Sequence, residues 1–596
     1  MEMKHFSFLL IAMAAFALPT NAQRVEPLPI GMAPWEHALI RDYRDSRAQA
    51  DRGITTPPNF PVRTMAEWEE VQGLVIAWAG YEPILKQIVR YAKEECEVII
   101  VCDDPTGVTN YLQNSQYGGP ITDMTNITLL QGDYNSVWTR DYGAECIYQN
   151  EVDSLFLLDW IYNRPRPLDD VLPDLVGGYK NIAVFSTTQA PYDLVHTGGN
   201  FMADGSGTAF SSNLVLDENG PNGQFNQTVK SSAQVDSLMH QWMGIELGRY
   251  IKMPTLPYDQ IHHIDMHMKL LDEETLLVGE FPVGVSDGPQ LESNIDNVTA
   301  NYNSVFGTPY RVVRIPMVPS TGGQYPPGGS YRTYANNVFI NRTVLVPTYR
   351  EEYDTTGLRI LRESLPGYKV IGIDCDNSGA NIISASGAIH CITKGIGVAD
   401  PLLIRHQRLR DTYETVTPYP VEAYIRHRSG IASAELYWTT DTANGFAALP
   451  MSDIGGNNWV ADIPAQPAGT TIYYYVHAAA ANGKEQVRPI VAPEGWWRFR
   501  VLDTNTGIGG PPAPAIAAVF PNPVSQVVVV ELRLPPGEHV QVELLDALGR
   551  VALDLHHGTL PPDGRVFGDV TALAPGAYLL DVRTANGRAT RRIMVR

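Results

Sequence analysis

The chain has 596 residues, 44% of them hydrophobic and 18% charged, and 44 Lys and Arg stand against 65 Asp and Glu for a formal net charge of −21. This length exceeds what one hydrophobic core supports and predicts several domains. Such an acid excess argues against a nucleic-acid-binding protein, which needs clustered basic residues, and favours cationic ligands.

In chain order, Lys4 and His5 precede the apolar run Phe6 to Leu18, and Thr20-Asn21-Ala22 follows with small residues. That is the pattern of a cleaved secretory signal, residues 1–22. The run is too short to span a bilayer, and no transmembrane segment is expected after cleavage. Residues 23–54 are polar and aperiodic, and read as a pro-segment or arm. From Met65 the pattern alternates. Gly73 to Trp78 predicts a buried strand, and Pro83 to Cys96 predicts a helix with Ile84, Leu85, Ile88, Val89 and Ala92 on one face. Glu97 to Cys102 predicts another strand. The rhythm defines an α/β domain over residues 55–412. Residues 413–503 carry short alternating runs such as Val421 to Ile425 and Thr471 to Val476, and predict an immunoglobulin-like β-sandwich. Residues 504–515 form a Gly/Pro-rich linker, and a last β-rich module covers 516–596.

The candidate chemistry lies in the glycine-rich turns of the α/β part, as expected for a site built from loops on a scaffold. Trp138-Thr139-Arg140-Asp141-Tyr142-Gly143 places a carboxylate between aromatics, a setting that suits a planar guanidinium. The plainer reading is an Arg140–Asp141 structural turn. Arg164 and Arg166 stand on a proline-stiffened segment that can clamp a carboxylate, or else form surface ion pairs. His196-Thr197-Gly198-Gly199-Asn200 is a turn that lets backbone approach a ligand closely. His263-Ile264-Asp265-Met266-His267, read as a strand, places His263, Asp265 and His267 on one face. This leaves two readings: a metal site, with or without His262, or an acid/base histidine beside a binding carboxylate. Asn336 precedes the apolar run Val338 to Ile340 and either orients a reacting group or simply forms a turn.

Cysteines are few: Cys96, Cys102, Cys146, Cys375 and Cys391. The odd count in an exported chain leaves at least one free thiol. Cys391 is the choice, because His390 and Lys394 flank it and neighbouring cations favour the nucleophilic thiolate, whereas a lone cysteine is otherwise a small core residue. Its segment favours the non-metal reading of the histidines, so no metal and no cofactor are expected.

Taken in order, Met65-Ala66-Glu67-Trp68-Glu69, Trp-x-Arg-Asp-x-Gly, Gly-Gly-Asn, His-x-Asp and His-Cys-Ile-Thr resemble the guanidino-modifying, or pentein, superfamily, in its bacterial peptidylarginine deiminase and agmatine deiminase branch. The resemblance implies a fivefold pseudosymmetric α/β propeller with an axial site. It implies Cys391 as nucleophile, His263 as general acid and then base, Asp141 and Asp265 as guanidinium ligands, and Asn336 as an assisting group. Trp138, Arg164 and Arg166 become substrate-binding residues. Thr197 departs from the Glu usual in small-molecule agmatine deiminases, and Ser386-Gly387-Ala388 replaces a longer glycine run before the cysteine. Phe520-Pro521-Asn522-Pro523, Asp546-Ala547-Leu548-Gly549-Arg550 and Leu573-Ala574-Pro575-Gly576-Ala577-Tyr578 resemble the sorting domain of type IX secretion. The combination is similar to secreted, porphyromonad-type peptidylarginine deiminases, with C-terminal arginine of peptides and proteins as substrate and the type IX machinery as partner. It implies a location outside the cell or on the outer-membrane surface. The alternatives are an agmatine or free-arginine deiminase, a metallohydrolase, and a surface adhesin.

Overall fold

The computed structural model describes residues 27–50, 52–503 and 515–596, apart from 535–536, 547–548 and 585–586. The expected signal peptide and nearly all of the expected linker lie outside the described residues. The described residues form two compact units. One comprises the chain to Arg410 with Thr417–Ala465 and Thr471–Phe499. The other comprises Asp411–Val416, Gln466–Thr470 and Arg500–Arg596.

One pattern organises the first unit. Val71–Ala77 is apolar apart from Gln72 and carries the β-branched Val71, Val75 and Ile76, which suits a strand covered on both faces. It pairs antiparallel with Lys394–Gly397 and, across the helix Glu82–Ala92, parallel with Glu97–Cys102; Ile127–Gln131 completes that sheet. The same step recurs among the described residues. Glu145–Gln149 pairs antiparallel with Leu155–Tyr162, and the helix Leu172–Lys180 leads to the parallel strand Val184–Thr187. Met202–Ala203, Ala209–Ser212 and Tyr250–Met253 repeat it, as do Met268–Asp272, Thr275–Glu280 and Arg311–Pro316. Val338–Ile340, Thr343–Thr348 and Lys369–Asp374 form the fifth instance. The first instance takes its antiparallel strand from the end of this region, so Lys394–Gly397 returns the chain to its first sheet.

Two expectations are corrected in detail. The helix expected over Pro83 to Cys96 ends at Ala92, because the backbone tightens into turns there, with Glu95 N–H and Cys96 N–H both donating to Ala92 O. His263 to His267 is not a strand. Ile264–Met266 forms a short 3₁₀ turn, and the strand begins only at Met268. The alternation that placed His263, Asp265 and His267 on one face therefore does not exist. Among the described residues no three His, Cys, Asp or Glu side chains gather as a metal cage.

Residues 403–500 form two antiparallel sheets. One orders Leu403–Arg405, Tyr419–Arg426, Asn458–Ile463 and Ser452–Gly455. The other orders Ala447–Pro450, Ile431–Thr439, Thr471–Ala480 and Glu485–Arg488, with Trp497–Arg500 on Thr471–Ala480. Tyr419–Arg426 alternates buried with exposed or half-buried residues, and Tyr419 packs edge-on to Phe499 at 5.1 Å. Within the first unit these sheets join the α/β part through buried or half-buried ion pairs: Arg488 with Glu273 at 3.0 Å, Lys484 with Glu70 at 2.6 Å and Arg408 with Asp272. The second unit carries two further sheets around a core that includes Val528, Val530, Val542, Leu580 and Ile593.

Candidate active site

The five antiparallel steps position the chemistry. Immediately before each of their entering strands stands a short turn, and each turn carries residues singled out in the sequence. Thr139–Tyr142 holds Asp141, Gly198–Asn200 holds the double glycine, and Ile264–Met266 with its N-cap residue holds Asp265 and His263. Asn336 precedes Val338, and His390–Ile392 holds Cys391. Equivalent ends of five repeated units thus deliver residues far apart in sequence.

The Cys391 sulfur accepts from Asn336 Nδ2 at 3.2 Å and lies 3.6 Å from Asp265 Oδ2. Asn336 is itself fixed, since Nδ2 also reaches Asp265 O at 3.3 Å and Oδ1 accepts from His390 N–H at 3.0 Å. His263 Nδ1 stands 3.5 Å from Asp141 Oδ1, which also accepts from Gly199 N–H at 3.3 Å. Cys391, His263, Asp265, Asn336 and Asp141 are each 0–1% exposed. Both ring nitrogens of His263 and Asp265 Oδ1 have no hydrogen-bond partner among the described residues. A Cβ on Gly199 would lie 2.5 Å from His263 Nδ1 and 2.9 Å from Asp141 Oδ1, so only glycine admits this packing.

The cations beside the cysteine in sequence do not serve it. His390 Nδ1 meets Asp265 Oδ2 at 2.7 Å and its Nε2 meets Glu67 Oε2 at 3.1 Å, while Lys394 pairs with Glu145. Burial, then the charges of Asp265 and Asp141, push the Cys391 thiol well above its ordinary value. The expected exposed, cation-activated thiolate is replaced by a buried neutral thiol between carboxylates. Burial also lowers His263 below its ordinary value, partly offset by Asp141 and Asp265. For Asp265 burial acts upward, but the His390 hydrogen bond and charge outweigh it and hold the carboxyl below its usual range.

Sequence reasoning missed the layer behind the site. Glu67 takes His390, Arg140 at 3.3 Å and Lys269. Burial works against its charge, yet these three cations keep its carboxyl well below the ordinary range. Arg140 Nε also donates to His390 O at 3.2 Å, so Arg140 braces the cysteine segment instead of pairing with Asp141. Glu67 lay inside a recognised motif, but no spacing reveals that it meets a histidine 323 positions away.

The remaining candidates surround this centre. Trp138 is fully buried, and its ring lies against Gly387. Arg164 is near enough to His263 for its charge to disfavour the imidazolium. The Arg166 guanidinium pairs with Glu36 at 2.8 Å, and both side chains are 1% exposed.

The family model described as Porphyromonas-type peptidyl-arginine deiminase matches residues 63–396, and the secretion system C-terminal sorting domain matches residues 518–596. A Legionella pneumophila (strain Paris) protein with a provisional agmatine deiminase name is 24% identical over 337 residues, covering 55% of this chain and 88% of the relative. A similarly named Vibrio parahaemolyticus protein is 22% identical over 377 residues, covering 57% and 98%. Among solved structures, the agmatine deiminase of C. jejuni is 22% identical with a TM-score of 0.45, covering 56% of this chain and 96% of its own. A structure from Porphyromonas gingivalis titled as an arginine deiminase is 21% identical with a TM-score of 0.47, covering 56% and 98%. The sorting domain marks the chain for secretion or attachment at the outer-membrane surface, and no helix among the described residues is long and apolar enough to cross a membrane. Since the first of these models spans more than half of the sequence and the turns it contains converge on one buried thiol, the chain belongs to the Porphyromonas-type peptidyl-arginine deiminase family of guanidino-group deiminases, hydrolases of guanidino C–N bonds, and ends in a type IX secretion sorting domain.

Proposed function

We propose that the protein hydrolyses the guanidinium of peptidyl arginine, preferring arginine at a peptide C-terminus, to citrulline and ammonia. The observation that carries this reading is the meeting of Cys391 with Asp265, Asn336 and the Asp141–His263 pair in one buried spot. A guanidinium seated between Asp141 and Asp265 neutralises the two charges that keep the thiol protonated, so cation binding and thiolate formation are coupled. The Cys391 proton passes to His263. The thiolate attacks the guanidinium carbon, the C–N bond breaks, and ammonia leaves with the imidazolium proton. Neutral His263 then takes a proton from water, whose oxygen attacks the thiouronium carbon. The C–S bond breaks as the hydroxyl proton of the adduct is lost to solvent, where ammonia takes it up, giving the neutral ureido product and the thiolate, which recovers its proton from the imidazolium.

On this reading the five sheets of the α/β part, residues 55–412, form a pseudosymmetric propeller with the site at its axis. Residues 413–503 are an immunoglobulin-like sandwich, 504–515 a linker and 516–596 the sorting module, with 1–22 a cleaved signal and 23–54 a pro-segment or arm. Arg164, beside His263, supports recognition of a substrate carboxylate, and Trp138 supplies an apolar wall. The names of the curated relatives favour a second reading, an agmatine deiminase. Agmatine has no carboxylate, and Thr197 stands where small-molecule enzymes of that branch usually place glutamate.

Citrulline release from a short peptide ending in arginine, compared with agmatine turnover, tests the proposal. Peptide turnover, lost in Arg164→Ala, is the expected result, and turnover of agmatine alone would sink the peptidyl reading. Gly199→Ala is expected to lower kcat/KM by about 100-fold, because the added methyl displaces His263 from Asp141. Unchanged kinetics in that variant would refute the tight packing at the double glycine.

A further inference from the structure

The segment from Leu28 to Glu36 is bonded to residues around the site. Trp138 Nε1 donates to Leu28 O at 2.8 Å, and Arg164 Nε donates to Ile30 O at 3.0 Å. Ile30 N–H donates to Ala385 O at 3.3 Å, just upstream of the cysteine segment. The Ile30 side chain is 0% exposed and belongs to the same core cluster as Cys391. Arg166 holds Glu36 through Nε at 2.8 Å and Nη2 at 3.0 Å, and its Nη2 also takes the carbonyls of Pro29 and Gly31. Its Nη1 is buried without a hydrogen-bond partner among the described residues.

These contacts have the form of peptide recognition. Four main-chain carbonyls and one main-chain N–H are read between Leu28 and Gly31, and a carboxylate enters an arginine fork. The groups that read them, Trp138, Arg164 and Arg166, are those assigned above to the substrate. Just downstream, residues 37–39 are exposed, and the helix Ile40–Gln49 is fixed independently by Arg47 pairing with Asp159 at 2.7 Å and Asp170 at 3.0 Å. The held segment and the anchored helix are thus separable at an accessible joint.

We infer that Trp138, Arg164, Arg166 and Ala385 line a groove that binds acidic peptides, and that its resident ligand is the chain's own Leu28–Glu36, with the Glu36 carboxylate where a substrate carboxylate binds. This inference rests on the deiminase reading of the site. Burial opposes the Glu36 charge, but the hydrogen bond and charge of Arg166, with Ala33 N–H and Arg164, hold its carboxyl below the usual range, so it is a carboxylate at neutral pH. Release of the segment frees Arg166 for an incoming C-terminus and raises turnover.

A protease site placed at residues 37–39 of the full chain tests this after folding. Cleavage and removal of the segment should raise kcat/KM for a peptide ending in arginine by about tenfold or more, the worth of one charge-assisted pair. A synthetic peptide of residues 27–38 should then inhibit competitively, and the same peptide carrying Glu36→Gln should bind about tenfold more weakly. Glu36→Gln in the uncleaved chain should raise turnover in the same direction. Calorimetry of the synthetic peptide against the cleaved chain reads the groove without any substrate. Absence of peptide binding, or equal affinity of the two peptides, would overturn the inference. Unchanged turnover after the segment is removed would also overturn it. If the peptide binds with the expected Glu36 dependence and no guanidino substrate reacts, the groove stands and the deiminase reading falls.

Discussion

Cys391→Ala should release no citrulline, a loss on the order of 10⁵-fold, since no other group among the described residues touches the reacting carbon in the mechanism above. The fold should survive, because the side chain is small, fully buried and neutral in the free enzyme. The pH dependence of the wild type carries the sharper information. Thiol and imidazole together must hold one proton for reaction. Because the thiol lies well above its ordinary 9.0 and His263 below its ordinary 6.5, that single-proton state covers a wide window. Below the His263 value the pair gains a second proton and the rate falls. Above the Cys391 value it loses its last proton and the rate falls again. Free-enzyme kcat/KM is therefore expected to be flat across neutral pH, with its acid limb below 6.5 and its alkaline limb above 9.0. A narrow optimum between two close limbs would contradict the buried, carboxylate-flanked thiol.

Asp141→Asn and Asp265→Asn should each reduce kcat/KM by about 10³-fold, but through different measurable quantities. Through its Oδ1, Asp141 meets His263 and the Gly199 N–H, so its loss should appear mainly as weaker binding of the cation. Asp265 also fixes His390, which is shared with Glu67. Its replacement leaves a buried cationic network short of one carboxylate, so thermal stability should fall as well. In both variants the Cys391 thiol loses a neighbouring charge that raises its pKa, and the alkaline limb should move to lower pH. An alkaline limb that stays in place in both would show that these carboxylates do not set the protonation of the thiol. Differential alkylation of Cys391 against pH in the free enzyme would measure the same shift without turnover.

The groups that could do the chemistry were legible because they sit in short local strings. Cys391, Asp141 and Asn336 lie in strings that polar residues and nearby glycines mark as turns, whereas the string His263 to His267 reads as a strand, and the alternation of apolar runs indicated an α/β scaffold around them. The sorting module was equally legible from its proline- and glycine-punctuated strands. Proton placement was not legible. In a 3₁₀ turn successive side chains point in different directions, so His390, adjacent to Cys391 in sequence, serves Asp265 and Glu67 and leaves the thiol to burial and negative charge. For the same reason His263, Asp265 and His267 do not share a face, since their backbone is a turn and not a strand. The occupation of Arg166 by Glu36 was also hidden, because that pairing closes a loop of 130 positions, and sequence spacing does not determine which distant partners a folded chain brings together. The sequence by itself determined which side chains are available for guanidinium chemistry. The tertiary structure decided in which direction burial and charge move their protonation, and that Arg166 is paired with Glu36, because both depend on long-range contacts and on the water excluded around them.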